Sequence, residues 1–178
     1  QVSVDMDAVK WTNGFWGHWA HVSKDTMAMN MLHIYENDTL SHGFLNFEIA
    51  AGYKEGRHRG APFHDGDFYK TLEALVSVYA TTKDQRYYDA LERIIKVIAD
   101  AQRADGYIHT STIIKQRNNR EDVVEFEDRM NFETYNMGHL MTAACLHYRA
   151  TGQTNFLNIA IKATDFLLAY HENATAEQ

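Results

Sequence analysis

The sequence predicts an all-α protein built from helical hairpins, and two observations support this prediction. Apolar residues recur at helical spacing, as in the series Phe68, Leu72, Leu75, Val76 and Tyr79. The chain also repeats itself, because superimposing Tyr79 on Tyr148 (148 − 79 = 69) aligns the turn and the apolar positions that follow. Repeated hairpins are typical of architectures in which each unit covers its neighbour's apolar face. We therefore expect the chain to form part of a larger helical array.

The first fifty residues are predicted to hold two helices. Val2-Ser3-Val4 alternates between apolar and polar residues and could form a short strand. Residues 11–19 are aromatic and punctuated by glycine, and they are predicted to be a loop that packs on the helices. Helices are expected over residues 24–35 and 44–51, the second ended by Gly52.

Two helical hairpins follow. Residues 52–67 contain four of the ten glycines and the single proline, which predicts a loop. The first hairpin begins near Phe68 and turns at residues 81–84, and the second covers residues 138–150 and 154–170. Because both turns are short, the long connections over residues 52–67 and 105–137 fall at the opposite end. Binding residues usually lie on such connections, so candidates are expected there.

Composition excludes several classes of function. A net charge of −7 argues against a nucleic-acid partner, whose phosphates require clustered cations. No apolar run approaches the roughly 20 residues that a membrane span requires, so no membrane partner is predicted. Cys145 is the single cysteine, which excludes an internal disulfide, and its apolar neighbours predict an inert core position. Localisation stays open between a periplasmic or secreted protein, if Gln1 is a mature N-terminus, and a cytoplasmic one.

Two carboxylates stand at the entrance of the first hairpin. Asp65 and Asp67 are two residues apart and could hydrogen-bond a polyhydroxylated ligand or act as an acid/base pair. The alternative is that one of them caps the helix and the other is solvated. His58 and His64 lie nearby, but we predict no metal site in this segment.

A second polar group precedes the second hairpin. Glu133, Tyr135 and His139 place a carboxylate, a phenol and an imidazole within seven residues, and Gly138 allows close approach to the ring. These side chains could contact a ligand. Equally, they could belong to a capped helix in which His139 bonds a buried carbonyl group.

Five ordered motifs resemble the start of the family 127-type β-L-arabinofuranosidases. The motifs are Asn46-Phe47 with Ala50-Ala51-Gly52, Phe63-His64-Asp65-Gly66-Asp67 with Lys70-Thr71-Leu72-Glu73-Ala74, Ala101-Gln102 with Asp105-Gly106-Tyr107-Ile108, Gly138-His139-Leu140, and Tyr148-Arg149-Ala150-Thr151-Gly152. The resemblance implies an (α/α)6 toroid, of which residues 1–178 would be the N-terminal portion of one catalytic domain. It implies a glycoside hydrolase acting on L-arabinofuranosides or a related plant cell-wall sugar.

The resemblance also assigns roles to residues. It implies that Asp65, Asp67, Glu133, Tyr135 and His139 form a sugar-binding wall. The family's nucleophilic cysteine, its zinc ligands and its acid/base glutamate would lie downstream of Gln178, so no catalytic residue and no cofactor are expected here, although zinc is possible in the complete protein. The family often has His where this chain has Phe132, and Asp-Ser-Asp where it has Asp65-Gly66-Asp67.

Other functions remain open at this point. The same toroid serves polysaccharide lyases and unsaturated-uronide hydrolases, and the hairpins could also form a non-catalytic binding domain. In each case a partner is expected for the exposed apolar faces, either the rest of the catalytic domain or another chain.

Overall fold

The computed structural model describes residues 4–118 and 123–172, and these residues contain helices and no strand. The possible strand at Val2-Ser3-Val4 falls mostly outside the described residues and stays a prediction. None of the described helices is both long enough and apolar enough to cross a bilayer. The helices are α1 (Gly14–Val22), α2 (Ala28–Glu36), α3 (Gly43–Ala51), α4 (His64–Thr82), α5 (Gln85–Ala101), α6 (Thr110–Arg117), α7 (Glu133–Thr151) and α8 (Asn155–Glu172).

The predicted repeat is present in the helices themselves. Helices α4 and α7 both have 19 residues, and their bounds differ by the same 69 positions (133 − 64 and 151 − 82). Each is followed at once by an antiparallel partner, α5 or α8, on which it packs. Asp84 accepts a hydrogen bond from the backbone N–H of Arg86 at 3.0 Å and so caps α5, as its position predicts.

The hairpins stack in two layers. Helices α2, α4 and α7 lie side by side in one layer, and α3, α5 and α8 form the other. The most extensive contact is between α4 and α7. The interior between the layers is filled by fully buried side chains, among them Phe47, Phe68, Tyr69, Leu72, Leu75, Tyr87, Leu91, Ile94 and Phe156. Helix α5 supplies many of them because its apolar residues follow a regular helical stripe.

The N-terminal region differs from the sequence prediction. Residues 14–36 form one continuous helix with a π-helical turn at Ser23–Met27, so the loop predicted over residues 11–19 is wrong beyond Asn13. The aromatic side chains there contact one another and remain exposed instead of packing on the other helices. The prediction of a core position for Cys145 is also wrong, since this residue is exposed on α7.

The connection after α5 contains a helix that the sequence did not predict. Helix α6 packs on α3, and the Arg117 guanidinium donates to the carbonyl oxygens of Ile49 and Ala50 at 3.2 and 2.6 Å. These carbonyls belong to the last turn of α3, where the regular i→i−4 donors run out. Tertiary contact thus orders part of a segment that its composition left undefined.

Candidate functional site

One amide side chain joins the entrances of α4 and α7. Asn136 is buried; its Oδ1 accepts from the backbone N–H of Gly66 at 2.9 Å, and its Nδ2 donates to the carbonyl of Pro62 at 2.8 Å. An added Cβ on Gly66 would lie 2.6 Å from that Oδ1 and 2.9 Å from the Tyr135 ring. The two helix entrances can approach this closely because position 66 has no side chain.

A cluster of polar side chains lies on the surface shared by these two helices. We call Asp67, Lys70, Glu73, Tyr135 and His139 the α4/α7 polar cluster. The Lys70 ammonium contacts the Tyr135 hydroxyl and lies 3.1 Å from Asp67 Oδ1. The rings of Tyr135 and His139 meet edge to face with centroids 4.7 Å apart, and His139 Nδ1 is 3.5 Å from Glu73 Oε1.

The neighbouring side chains of this cluster stabilise the charged form of Lys70. The Tyr135 hydroxyl, followed by Asp67, raises the pKa of Lys70, so its ammonium remains charged. All five side chains remain partly accessible, Tyr135 being 43% exposed. The cluster therefore offers carboxylate acceptors, a cationic donor and two aromatic rings to a ligand at one surface.

Aromatic rings adjoin the cluster at the helix entrances. The Phe63 and Phe132 rings meet edge to face with centroids 5.7 Å apart, and Phe132 contacts the Tyr135 ring in the same manner at 6.1 Å. Phe132 is the N-cap of α7 and adopts the left-handed conformation, with φ of 56°. A bulky residue adopts this conformation only where its surroundings impose it.

Asp65 lies beneath this surface. Only 2% of the residue is exposed, and its two carboxylate oxygens accept hydrogen bonds from the Thr110 backbone N–H at 2.7 Å and the Thr110 hydroxyl at 2.6 Å. Asp65 therefore holds the first residue of α6 against α4. The alternative prediction of a helix cap is wrong, because no side chain caps the start of α4.

Glu133 is buried in the same layer. It is 3% exposed and accepts hydrogen bonds from the Tyr107 hydroxyl, the Thr112 hydroxyl at 3.4 Å and the backbone N–H of Phe126 at 2.8 Å. Burial raises the pKa of the Tyr107 phenol, and the adjacent Glu133 charge raises it further, so the phenol stays protonated as a donor. Glu133 thus fixes the connection between α5 and α7.

The five residues predicted for the sugar-binding wall therefore separate into two groups. Asp67, Tyr135 and His139 share one accessible surface. Asp65 and Glu133 lie under it, with their carboxylates committed to donors from residues 107–126. Both of these residues are nearly fully buried, Asp65 being 2% and Glu133 3% exposed.

Sequence reasoning missed several residues of the site. Lys70 and Glu73 join the cluster, and Asn136 and Thr110 hold its supports. A signal for Lys70 was present, because the 69-residue repeat aligns Lys70 with His139 and so predicts that both project from the same face. Nothing in the local sequence pointed to Asn136 or Thr110, whose partners are 70 and 45 residues away.

The metal prediction can be examined on the same geometry. Among residues 4–118 and 123–172, no three His, Cys, Asp or Glu side chains are arranged to hold a metal ion. His109, for example, forms hydrogen bonds through both ring nitrogens, with the Thr112 hydroxyl at 3.0 Å and with the Pro62 carbonyl at 3.1 Å.

Comparison with known proteins identifies the class to which this arrangement belongs, the glycoside hydrolases. A family model described as the β-L-arabinofuranosidase GH127 catalytic domain matches residues 8–178, and the chain belongs to this family. A relative from Bifidobacterium longum subsp. longum, named non-reducing end β-L-arabinofuranosidase, is 33% identical over 137 residues. That match covers 73% of this chain and 20% of the relative.

Solved structures agree with this assignment. The GH127 β-L-arabinofuranosidase Ara127N-Se from Geobacillus stearothermophilus T6 is 30% identical, with a TM-score of 0.79 over 89% of this chain and 25% of that protein. The GH127 β-arabinofuranosidase BT3674 is 30% identical, with a TM-score of 0.82 over 93% of this chain and 26% of that protein. The described helices are thus an all-α fragment of the toroid type, and the chain spans about a quarter or less of the length of these relatives.

Proposed function

We propose that this chain is the N-terminal portion of one (α/α)6 catalytic domain, in a glycoside hydrolase that acts on L-arabinofuranosides or a related plant cell-wall sugar. Family membership supports the hydrolase class, and the relatives described above are named for arabinofuranosidase activity. The small share of each relative that the chain covers supports a remainder of the domain elsewhere. None of these relatives carries the name of a lyase or a non-catalytic binding domain.

The observation on which the proposed site rests is the shared surface of Asp67, Tyr135 and His139. These residues come from two parallel repeats, at the end of the hairpins with the long connections. In a closed toroid the helices of one layer line a central cavity, so this cluster would face the bound sugar. Asp67 and Glu73 would accept hydrogen bonds from sugar hydroxyls, while Lys70 would donate to sugar oxygens.

Asp65 and Glu133 enter the proposal in a different role from the one predicted. Their buried carboxylates hold α6 and the segment before α7 in place, and so fix the directions in which Asp67 and Tyr135 project. The nucleophile and the acid/base group are proposed to lie downstream of Gln178, so no bond-breaking step is assigned to the described residues.

The proposal is tested by substitutions in the complete protein. His139→Ala or Asp67→Ala should weaken binding of an aryl β-L-arabinofuranoside by about 5- to 150-fold, because a buried ligand hydroxyl without its partner costs roughly 1–3 kcal/mol. The measurements are KM and kcat/KM, together with the unfolding temperature, which should change little.

Lys162→Ala is the matched control. Lys162 is exposed on α8, in the other layer, and should leave these constants unchanged. Wild-type binding in both His139→Ala and Asp67→Ala would show that the cluster does not touch the sugar. Absence of wild-type turnover on every β-L-arabinofuranoside would contradict the proposed activity itself.

A further inference from the structure

A second concave site lies beside the helix entrances. This cavity of about 670 Å³ lies between the loop that precedes α4, helix α6 and the short turn that precedes α7. We call it the cationic cavity, and its polar lining includes Arg57, His58, Ser111, Lys115, Asn118 and Asn131. Its volume falls in the range of small-molecule sites, about 300–1,000 Å³.

The two cations of this cavity lack partners in the described part of the chain. Neither the Arg57 guanidinium nor the Lys115 ammonium forms an ion pair or a hydrogen bond with residues 4–118 or 123–172. By contrast, Lys54, Arg93 and Arg103 are each paired with a carboxylate. In a chain with a net charge of −7, two cations that line one cavity and have no carboxylate partner among the described residues favour an anionic ligand.

One carboxylate also lines the cavity, but it has a local role. Asp128 Oδ1 accepts the backbone N–H of Met130 at 2.8 Å, and so caps the 3-10 turn Arg129–Asn131. The lining therefore keeps an excess of positive charge. Asn118 donates through its Nδ2 to the Gly56 carbonyl at 2.9 Å, and its Oδ1 is a hydrogen-bond acceptor.

His58 makes the cavity polar without adding charge. Burial, assisted by His109, Lys115 and His64 against the opposing effect of Asp65, lowers the pKa of its imidazole to about 4. At neutral pH the ring is therefore uncharged and can both donate and accept. Uncharged polar groups beside two cations suit a ligand with one acidic group and several hydroxyls.

The cavity adjoins the α4/α7 polar cluster along the chain. Pro62 and Asn131 line the cavity, and each is followed directly by a ring of the Phe63–Phe132 pair that borders the cluster. A saccharide longer than one unit could therefore contact both sites. The ring pair between them offers apolar surface to the C–H face of a sugar.

From these contacts we propose that the cationic cavity binds the carboxylate of a uronic acid unit in the glycan, with Arg57 and Lys115 as its charged partners. This inference rests on the proposed function as a glycan-degrading enzyme and adds an acidic substrate class to it. A guanidinium can hold a carboxylate through two parallel hydrogen bonds, and an ammonium provides a second point of charge.

The test compares two sugars that differ only at the sixth carbon. Binding of D-galacturonate and D-galactose to the complete protein is measured by calorimetry, and galacturonate should bind about 10- to 150-fold more tightly, as expected for hydrogen bonds to charged groups. Arg57→Gln and Lys115→Gln should each reduce that ratio by about tenfold. Raising the salt concentration to 0.5 M should also reduce it, since exposed charges are then screened.

Lys162→Gln is the matched control, because it removes an exposed cation from α8 and should leave the ratio unchanged. Equal binding of the two sugars, or a ratio unaffected by both cavity variants, would overturn the proposal. Tighter binding of inorganic phosphate than of galacturonate would overturn the carboxylate assignment. Turnover of a neutral aryl β-L-arabinofuranoside by the wild-type protein is assayed in parallel, so that a failure of the proposed activity is seen separately.

Discussion

Gly66 shows how one position of the site is decided by a contact far away in sequence. The position opens α4 between two aspartates, and most residues would be tolerated there on helix propensity alone. Its neighbour in space is Asn136. The backbone N–H of Gly66 donates to Asn136 Oδ1, and this contact leaves no room for a Cβ at position 66. Because Asn136 also bonds Pro62, one amide sets how closely the two helix entrances approach.

Gly66→Ala should therefore destabilise the protein. The new Cβ would stand 2.6 Å from Asn136 Oδ1, and overpacking of this kind costs about 1–3 kcal/mol. We expect a lower unfolding temperature and faster amide hydrogen exchange at the start of α4. Gly138→Ala is the control, because nothing lies within 4 Å of a Cβ built there. Equal stability of the two variants would show that the helix entrances separate without cost.

At the scale of the element, helices α4 and α7 end in the same backbone conformation but with different residues. Lys83 follows α4 and Gly152 follows α7, and both adopt the left-handed conformation, with φ of 55° and 74°. The backbone N–H groups of Lys83 and Gly152 donate to the carbonyl oxygens of Tyr79 and Tyr148, each at 2.8 Å. The same turn geometry therefore follows both helices, but only α7 is followed by glycine, the residue that best tolerates the left-handed conformation.

Lys83→Gly should stabilise the protein, and Gly152→Ala should destabilise it, each by about 1 kcal/mol, since a Cβ strains the left-handed conformation. The contribution of the Lys83 ammonium is small, because its bond to the Ala150 carbonyl is exposed and 3.4 Å long. Denaturant unfolding of the complete protein measures both changes. Opposite signs are expected, and a loss of stability in Lys83→Gly would show that the lysine side chain outweighs the backbone strain.

At the scale of the whole molecule, the stacked hairpins leave large apolar side chains exposed at both open sides. Trp11, Phe15 and Trp16 are each more than 60% exposed on or just before α1, and Ile161 and Leu168 are about half exposed on α8. An array of hairpins buries such faces only by adding neighbours. Exposed apolar area of this kind marks a surface that another part of a protein covers.

Residues 1–178 expressed alone should therefore self-associate. Light scattering after size exclusion should show oligomers or aggregates, whereas the complete protein should elute without them. The isolated chain should also fail to hydrolyse an aryl β-L-arabinofuranoside. A monodisperse monomer with a sharp cooperative thermal transition would refute the first expectation. Turnover that survives Cys145→Ala would refute the second and relocate the catalytic groups.

The sequence alone determined the features that depend on local periodicity. The 3.6-residue pattern and the 69-residue repeat predicted the paired helices α4 with α5 and α7 with α8, and the ordered motifs predicted the family to which the chain belongs. The short turns also predicted which end of the hairpins carries the polar residues. These inferences succeed because helix periodicity and turn chemistry are properties of neighbouring residues.

The tertiary structure alone decided which polar residues face outward. Asp65 and Asp67 are two positions apart, yet the first is enclosed by Thr110 and the second reaches Lys70 on the surface. The formation of helix α6 and the exposure of the aromatic rings of α1 likewise depend on which segments pack beside them. A buried carboxylate needs donors to offset its desolvation, and those donors come from segments distant in sequence. Periodicity carries no information about them, so burial at this site could be seen only in the fold.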